Sequence, residues 1–250
     1  MILKSAYWED LAAEYQREMV ISCTDFHYGP LIGGDSLLQL LPPDLNGLRC
    51  LEIACGGAQN SIFLASKGAE CTALDASPAQ ISYAEKLAAE KHADIAFRLM
   101  PMEELPGNLP AFDLIHSAYG FNFAFDFERL MDAVAGLLKP DGILLFSLPH
   151  PLFSGEFLEI DHEDGLFLEN YFAIMPELRF DSNGIETAIS NFYSLDHISR
   201  ALSRNSLLIE AVREPEICEN PPYTGKLWEE YREQLRRFPG TVIIKALKNK

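Results

Sequence analysis

The chain has 250 residues, 48% of them hydrophobic, with 20 Lys plus Arg against 37 Asp plus Glu and a formal charge of −17. This length accommodates one sizeable α/β domain with an inserted lobe, and the apolar fraction excludes disorder. A field of this sign repels a phosphate backbone and argues against nucleic acid as a partner, the local Arg232, Arg236 and Arg237 cluster notwithstanding.

In chain order the pattern predicts an amphipathic helix over 7–19, a short helix over 35–41 and a first strand over 48–54. A helix over 60–67 and a strand over 71–75 follow. Ser77-Pro78-Ala79-Gln80 then reads as a capping box with proline at the first helical position. Ile81, Ala84 and Ala88 recur at helical spacing, and 95–99 returns as a strand. Asp126 is the expected N-cap of a helix carrying Leu130, Val134, Leu137 and Leu138. Such alternation implies a parallel sheet. From Pro149 to about Ser190 the periodicity stops, which reads as an insertion over the active site, because loops at strand ends carry function. A helix over 195–203, a strand over 207–212, a polar helix over 226–238 and a strand over 241–247 complete the chain.

Cys23, Cys50, Cys55, Cys71 and Cys218 show no paired spacing. They read as free thiols of a reducing, cytoplasmic compartment, with neither a disulfide framework nor a metal site. The N-terminus turns acidic too early for a signal peptide, and no apolar run reaches membrane-spanning length, so no membrane is expected.

The most specific segment is Leu51-Glu52-Ile53-Ala54-Cys55-Gly56-Gly57-Ala58-Gln59-Asn60, with Asp75 nineteen residues after Gly56. An apolar strand with an acid near its end, a turn of tiny residues, a helix and a second acid about 20 residues on make a nucleoside-cofactor site. A dinucleotide fingerprint needs glycine where Gln59 stands, which disfavours NAD.

With Glu52 and Asp75, this segment resembles the first two motifs of the class I, Rossmann-like S-adenosylmethionine-dependent methyltransferases of small-molecule type. Met102-Glu103-Glu104-Leu105-Pro106, Phe112-Asp113-Leu114-Ile115-His116-Ser117 and Leu137-Leu138-Lys139-Pro140-Asp141-Gly142-Ile143 resemble the later elements of that family in the right order. Ala54 and Ala58 replace two motif glycines; alanine favours φ below zero, which predicts a slightly shifted turn.

The resemblance implies an α/β fold: a doubly wound, seven-stranded, mostly parallel sheet with helices on both faces. It also implies a single methyltransferase domain over 1–250, with N-terminal lid helices over 1–44 and an inserted cap over 150–193 after the fifth strand. S-adenosyl-L-methionine would be the cofactor, with S-adenosyl-L-homocysteine as product and a small, partly apolar molecule receiving the methyl group on O, N or C. Asp75 would accept from the ribose diol, since a carboxylate is acceptor-only, and Glu52 would meet the cationic amino-acid end. Ala54, Gly56, Ala76, Met102, Glu103, Ser117 and Ala118 complete the implied cofactor set, with Tyr15 as a cap. His150 in Leu148-Pro149-His150-Pro151 and His27 in Phe26-His27-Tyr28-Gly29 are the candidate bases, each against a structural role. Tyr119, Phe121, Asn122 and Tyr171 would line an aromatic acceptor pocket, or in part simply pack the lobe. The protein would be a monomer or homodimer. A non-catalytic binding protein for the same cofactor and, less favoured, an NAD(P)-dependent oxidoreductase are the other readings.

Overall fold

The computed structural model describes residues 12, 14–107, 109–160, 163–180 and 186–249. Its strands are β1 Met19–Ile21, β2 Arg49–Ile53, β3 Glu70–Asp75, β4 Ile95–Leu99, β5 Phe112–Ala118, β6 Leu138–Pro149, β7 Glu156–Ile160, β8 Glu163–Phe167, β9 Met175–Phe180, β10 Glu186–Phe192, β11 Leu207–Arg213, β12 Tyr223–Gly225 and β13 Thr241–Lys248. Its helices are α1 Asp35–Leu38, α2 Gln59–Ser66, α3 Pro78–Glu90, α4 Phe127–Leu137, α5 Leu195–Arg204, α6 Lys226–Glu229 and α7 Arg232–Leu235.

The main sheet has seven strands in the order β11-β13-β6-β5-β2-β3-β4. From β6 to β4 the strands run parallel, and β13 lies antiparallel between β6 and β11. This is the mostly parallel, seven-stranded α/β architecture expected. Successive side chains of a strand project to opposite faces, so Leu51 and Ile53 of β2 enter one apolar cluster while Cys50 enters another. The first cluster takes Phe127, Leu130, Met131 and Val134 from α4, at helical spacing, with Ile198, Ala201 and Leu202 from α5. The second takes Leu64 of α2 with Phe26, Tyr28 and Ile32 from the preceding segment. Helix caps act as read from sequence: Ser77 accepts from Gln80 N–H at 3.2 Å and Asp126 from Arg129 N–H at 3.0 Å.

Four local expectations change. Helix α1 stops at Leu38 because Gln39 turns left-handed (φ 51°) and the Asp35 carboxylate accepts the N–H groups of Leu40 (2.7 Å) and Leu41 (3.0 Å). Of the helix expected over 7–19, residues 14–18 are helical, Met19 already begins β1, and residues 1–11 and 13 lie outside the described residues. The aperiodic insertion folds as two antiparallel hairpins, β7 with β8 and β9 with β10. The helix expected over 226–238 is divided into α6 and α7 at Tyr231 (φ −96°, ψ 3°), and β12, unforeseen, pairs with β1. All five cysteines are free. Among the described residues no helix is long and apolar enough to cross a membrane.

The turn after β2 keeps the shape that glycines would give it. Ala54, Gly56 and Ala58 have φ of 56°, 52° and 55°, so the alanines enter the left-handed region rather than shifting the turn. Each costs roughly 1–2 kcal/mol of backbone strain. Ala58→Gly relieves that strain while losing one buried methyl, about 0.8 kcal/mol, and gaining unfolded-chain entropy of similar size. Its unfolding free energy should therefore stay within about 0.5 kcal/mol of wild type, whereas the buried helical control Ala84→Gly should lose well over about 1 kcal/mol. Urea denaturation of both variants checks this contrast.

Candidate functional site

The turn, the end of β3 and the end of β5 meet at the carboxyl edge of the sheet, where ligands of doubly wound folds lie. Gly56 N–H donates to Asp75 Oδ2 at 2.9 Å, and Ser77 N–H donates to Asp75 Oδ1 at 2.9 Å. The half-buried carboxylate therefore fixes the turn from the neighbouring strand. Gly120, which sequence reasoning missed, allows the third approach: a Cβ there would lie 2.4 Å from Ser117 Oγ and 2.7 Å from Ala54 Cβ. Ser117 is buried and its hydroxyl has no partner among the described residues. Ala76 and Ala118 are half-buried beside this edge.

Over the turn lies a buried amide network that the sequence did not reveal. Gln16 Nε2 donates to Gln80 Oε1 at 2.9 Å, and Gln59 Nε2 donates to Gln16 Oε1 at 3.2 Å. Neighbouring Tyr15 pairs its hydroxyl with that of Tyr223. These contacts seat residues 14–18 above Gly56, a juxtaposition of distant segments that no local pattern carries.

Glu52 is 4% exposed on β2. Its Oε2 accepts from Ser61 N–H (3.0 Å) and Ser61 Oγ–H (2.5 Å), while Oε1 lies 4.0 Å from His116 Nδ1. Burial pushes its carboxyl up to about 7, with the Ser61 hydrogen bonds opposing. His27 is clasped through its backbone: its N–H donates to Asn60 Oδ1 and its carbonyl accepts from Asn60 Nδ2, both at 2.9 Å. Its ring packs edge-on to Tyr223, and burial holds it down at about 4, so it is neutral and weakly basic near pH 7.

Other expected positions have different occupations. His150 Nδ1 accepts from Leu152 N–H at 3.1 Å, and Nε2 bonds Glu214 Oε1 at 2.6 Å. Both ring nitrogens are thus engaged, burial lowers its basicity, and the geometry makes His150 a cap of the turn after β6 rather than a free base. Phe121 is fully buried, 5.3 Å from the Phe146 ring, and belongs to the core rather than to an acceptor pocket. Tyr119 donates its hydroxyl to Gly240 O at 3.0 Å and pairs with Thr241 Oγ1 at 2.6 Å. Asn122 Nδ2 donates to Ser190 Oγ of β10 at 2.8 Å, and its Oδ1 has no partner among the described residues. Tyr171 accepts from Leu195 N–H at 3.4 Å. Met102 packs against the larger core, and Glu103 accepts from Phe125 N–H at 3.1 Å, joining the loops after β4 and β5.

The stretch holding the turn, Asp75, Glu103 and Ser117 matches, over residues 51–146, the family described as Methyltransferase domain. A ubiquinone biosynthesis O-methyltransferase of Xylella fastidiosa is 36% identical over 104 residues, 41% of this chain and 42% of that protein. The chain thus spans about two fifths of the length of such curated relatives. An uncharacterised protein of Haemophilus influenzae is 26% identical over 234 residues, 87% of each chain. An S-adenosylmethionine-dependent methyltransferase from Mesorhizobium loti shares the fold, with a TM-score of 0.68 and 21% identity over 85% of this chain and 95% of that one. The matched stretch contains Glu52 and Asp75, whereas His27, His150, the amide donor Gln16 and both hairpins lie outside it.

Two outcomes follow for residues in and around the matched stretch. His150→Ala should lower unfolding free energy by about 1–3 kcal/mol, because it strands the Leu152 N–H and Glu214; denaturation curves read this, and unchanged stability with lost turnover would return His150 to the chemistry. Glu52 carries its raised value only when folded, so its contribution is complete below its ordinary 4.5 and is lost as pH rises through about 7. Between about pH 5 and 8, wild type should lose on the order of 3 kcal/mol relative to Glu52→Gln. His27 and His116, held down at about 4 and about 3, act in the opposite sense, weakening the fold as pH falls below 6.5. Both proteins share the His27 effect, so the difference between their denaturation midpoints reads Glu52 together with His116 beside it.

Proposed function

We propose that this chain is an S-adenosylmethionine-dependent methyltransferase acting on a small, partly apolar molecule. The observation that carries the reading is the Asp75 carboxylate, bonded to the Gly56 N–H at 2.9 Å and half-open at the crevice. A diol offers two donors to such a group, and the turn beside it has no bulky side chain. The cofactor fits the residues present: a Cβ on Gly56 would have only Gln16 Nε2 (3.8 Å) and Gln80 Oε1 (3.9 Å) within 4 Å. Ser117 adds an unpartnered hydroxyl at the same edge. The Gln59 amide would stand 2.6 Å from a Cβ on Gly57, filling the space that a dinucleotide loop leaves clear.

S-adenosylmethionine supplies an activated methyl group on a sulfonium centre. The protein's part is then to bind, orient and dry the crevice. Asp75 would hold the ribose, and Glu52 the cationic amino-acid end. Glu103 and Met102 would border the adenine. Residues 1–44 would serve as a lid, seated through Gln16 and Tyr15, and residues 150–193 as a cap over the acceptor, with Asn122 joining that cap to the sheet through Ser190. With both His150 ring nitrogens engaged and the buried His27 ring only weakly basic, positioning rather than a dedicated base would carry the reaction. The charge of −17 favours a small acceptor over nucleic acid, and the free thiols favour a cytoplasmic location, where the protein would act as a monomer or homodimer.

Calorimetry against S-adenosylmethionine, S-adenosylhomocysteine and NAD tests the reading, with binding of the first two and not the third expected. Asp75→Ala should weaken S-adenosylhomocysteine by about 1.5–3 kcal/mol, the range for hydrogen bonds to a charged group. Unchanged affinity would reject the ribose assignment.

A further inference from the structure

His116 is fully buried in β5, and neither ring nitrogen has a hydrogen-bond partner among the described residues. Each unmade bond of this kind costs about 1–3 kcal/mol, which singles the ring out in the sheet. The parallel register sets His116 beside Glu52 of β2, and paired residues project from the same face. Ser61 directs its N–H and its hydroxyl to Glu52 Oε2. The other carboxyl oxygen, Oε1, faces His116 Nδ1 across 4.0 Å, an ion-pair separation that couples the two groups in titration. The titratable groups acting on or through the pair are His27 from the segment before α1, Asp75 and Cys71 of β3, Cys55 of the turn and Cys23 beyond β1. None is cationic at neutral pH, since burial keeps His27 uncharged.

We propose that Glu52 and His116 share one proton beneath the cofactor turn, that His116 is thereby a positioning residue for Glu52, and that an arriving ammonium group displaces this proton. The step balances: the Glu52 O–H bond breaks, the proton leaves to solvent, and the carboxylate pairs with the ligand cation. The ligand's identity rests on the function proposed above; the shared proton does not.

The probe is S-adenosylhomocysteine, bound calorimetrically near pH 6.5 in buffers of different ionisation heat. Wild type should release about half a proton or more, and its affinity should rise several-fold from about pH 6 to 8. Glu52→Gln should abolish both effects. His116→Phe, which keeps an aromatic ring against Phe26, should move the midpoint of the profile by about half a pH unit or more. Equal proton counts in wild type and Glu52→Gln, or an unmoved midpoint in His116→Phe, would overturn the proposal. Nitrogen-15 shifts of His116 in unliganded protein give the independent readout: they should titrate near the Glu52 midpoint and lose that response in Glu52→Gln. A flat response in wild type overturns the dyad, whereas failure to bind the probe with the nitrogen titration intact rejects the proposed cofactor and supports the shared proton.

Discussion

One hydrogen bond organises the carboxyl edge of this sheet, the donation from Gly56 N–H to Asp75 across the parallel pair β2 and β3. It fixes the strained turn to the strand beside it and sets the carboxylate at the crevice. The same carboxylate takes the Ser77 N–H at the entry to α3, so turn, strand end and helix start share one anchor. Gly120 then brings the loop after β5 against Ala54. An acid at the end of the second strand is therefore structural before any ligand arrives, and its geometry is ready when one does, which is how preorganisation lowers the cost of binding.

The parts legible in the sequence are those fixed by local or short-range rules. Buried parallel strands such as β2 declare themselves as apolar runs, and the half-exposed edge strand β4 occupies the expected residues, Ile95–Leu99. The caps at Ser77 and Asp126 are side chains bonding to backbone three residues on, which spacing alone reveals. The seven-stranded, mostly parallel sheet itself followed from the resemblance rather than from any residue pattern. What stayed hidden is tertiary. Gln16 meets Gln59 and Gln80 from 43 and 64 residues away, and no periodicity marks such a meeting. β1 and β12 are three-residue strands brought together from opposite ends of the chain. His150 looked free because Glu214, its partner, lies 64 residues further on.

Strain and burial are concentrated around the cofactor turn. Left-handed alanines and a buried carboxyl group within a few residues of one another, with a buried imidazole beside them on β5, violate ordinary rules of local consistency. Such violations persist where the surrounding core overdetermines the conformation. Here the two apolar clusters on either face of β2 supply that support, Leu51 and Ile53 on one side and Cys50 on the other. The site sits at the edge of the best-packed part of the molecule, while the hairpins that would close over it belong to a separate, later stretch of chain.

The position of β13 bears on how the protein is made. Thr241–Lys248 lies inside the sheet, bonded to β6 on one side and β11 on the other, so β11 has no place in the sheet until residues 241–248 have left the ribosome. During synthesis the open edge of β6, with Phe146 and Leu148 among its buried residues, must wait unprotected for about 5–20 s at ordinary elongation rates. The nascent chain is most prone to misassociation during that wait.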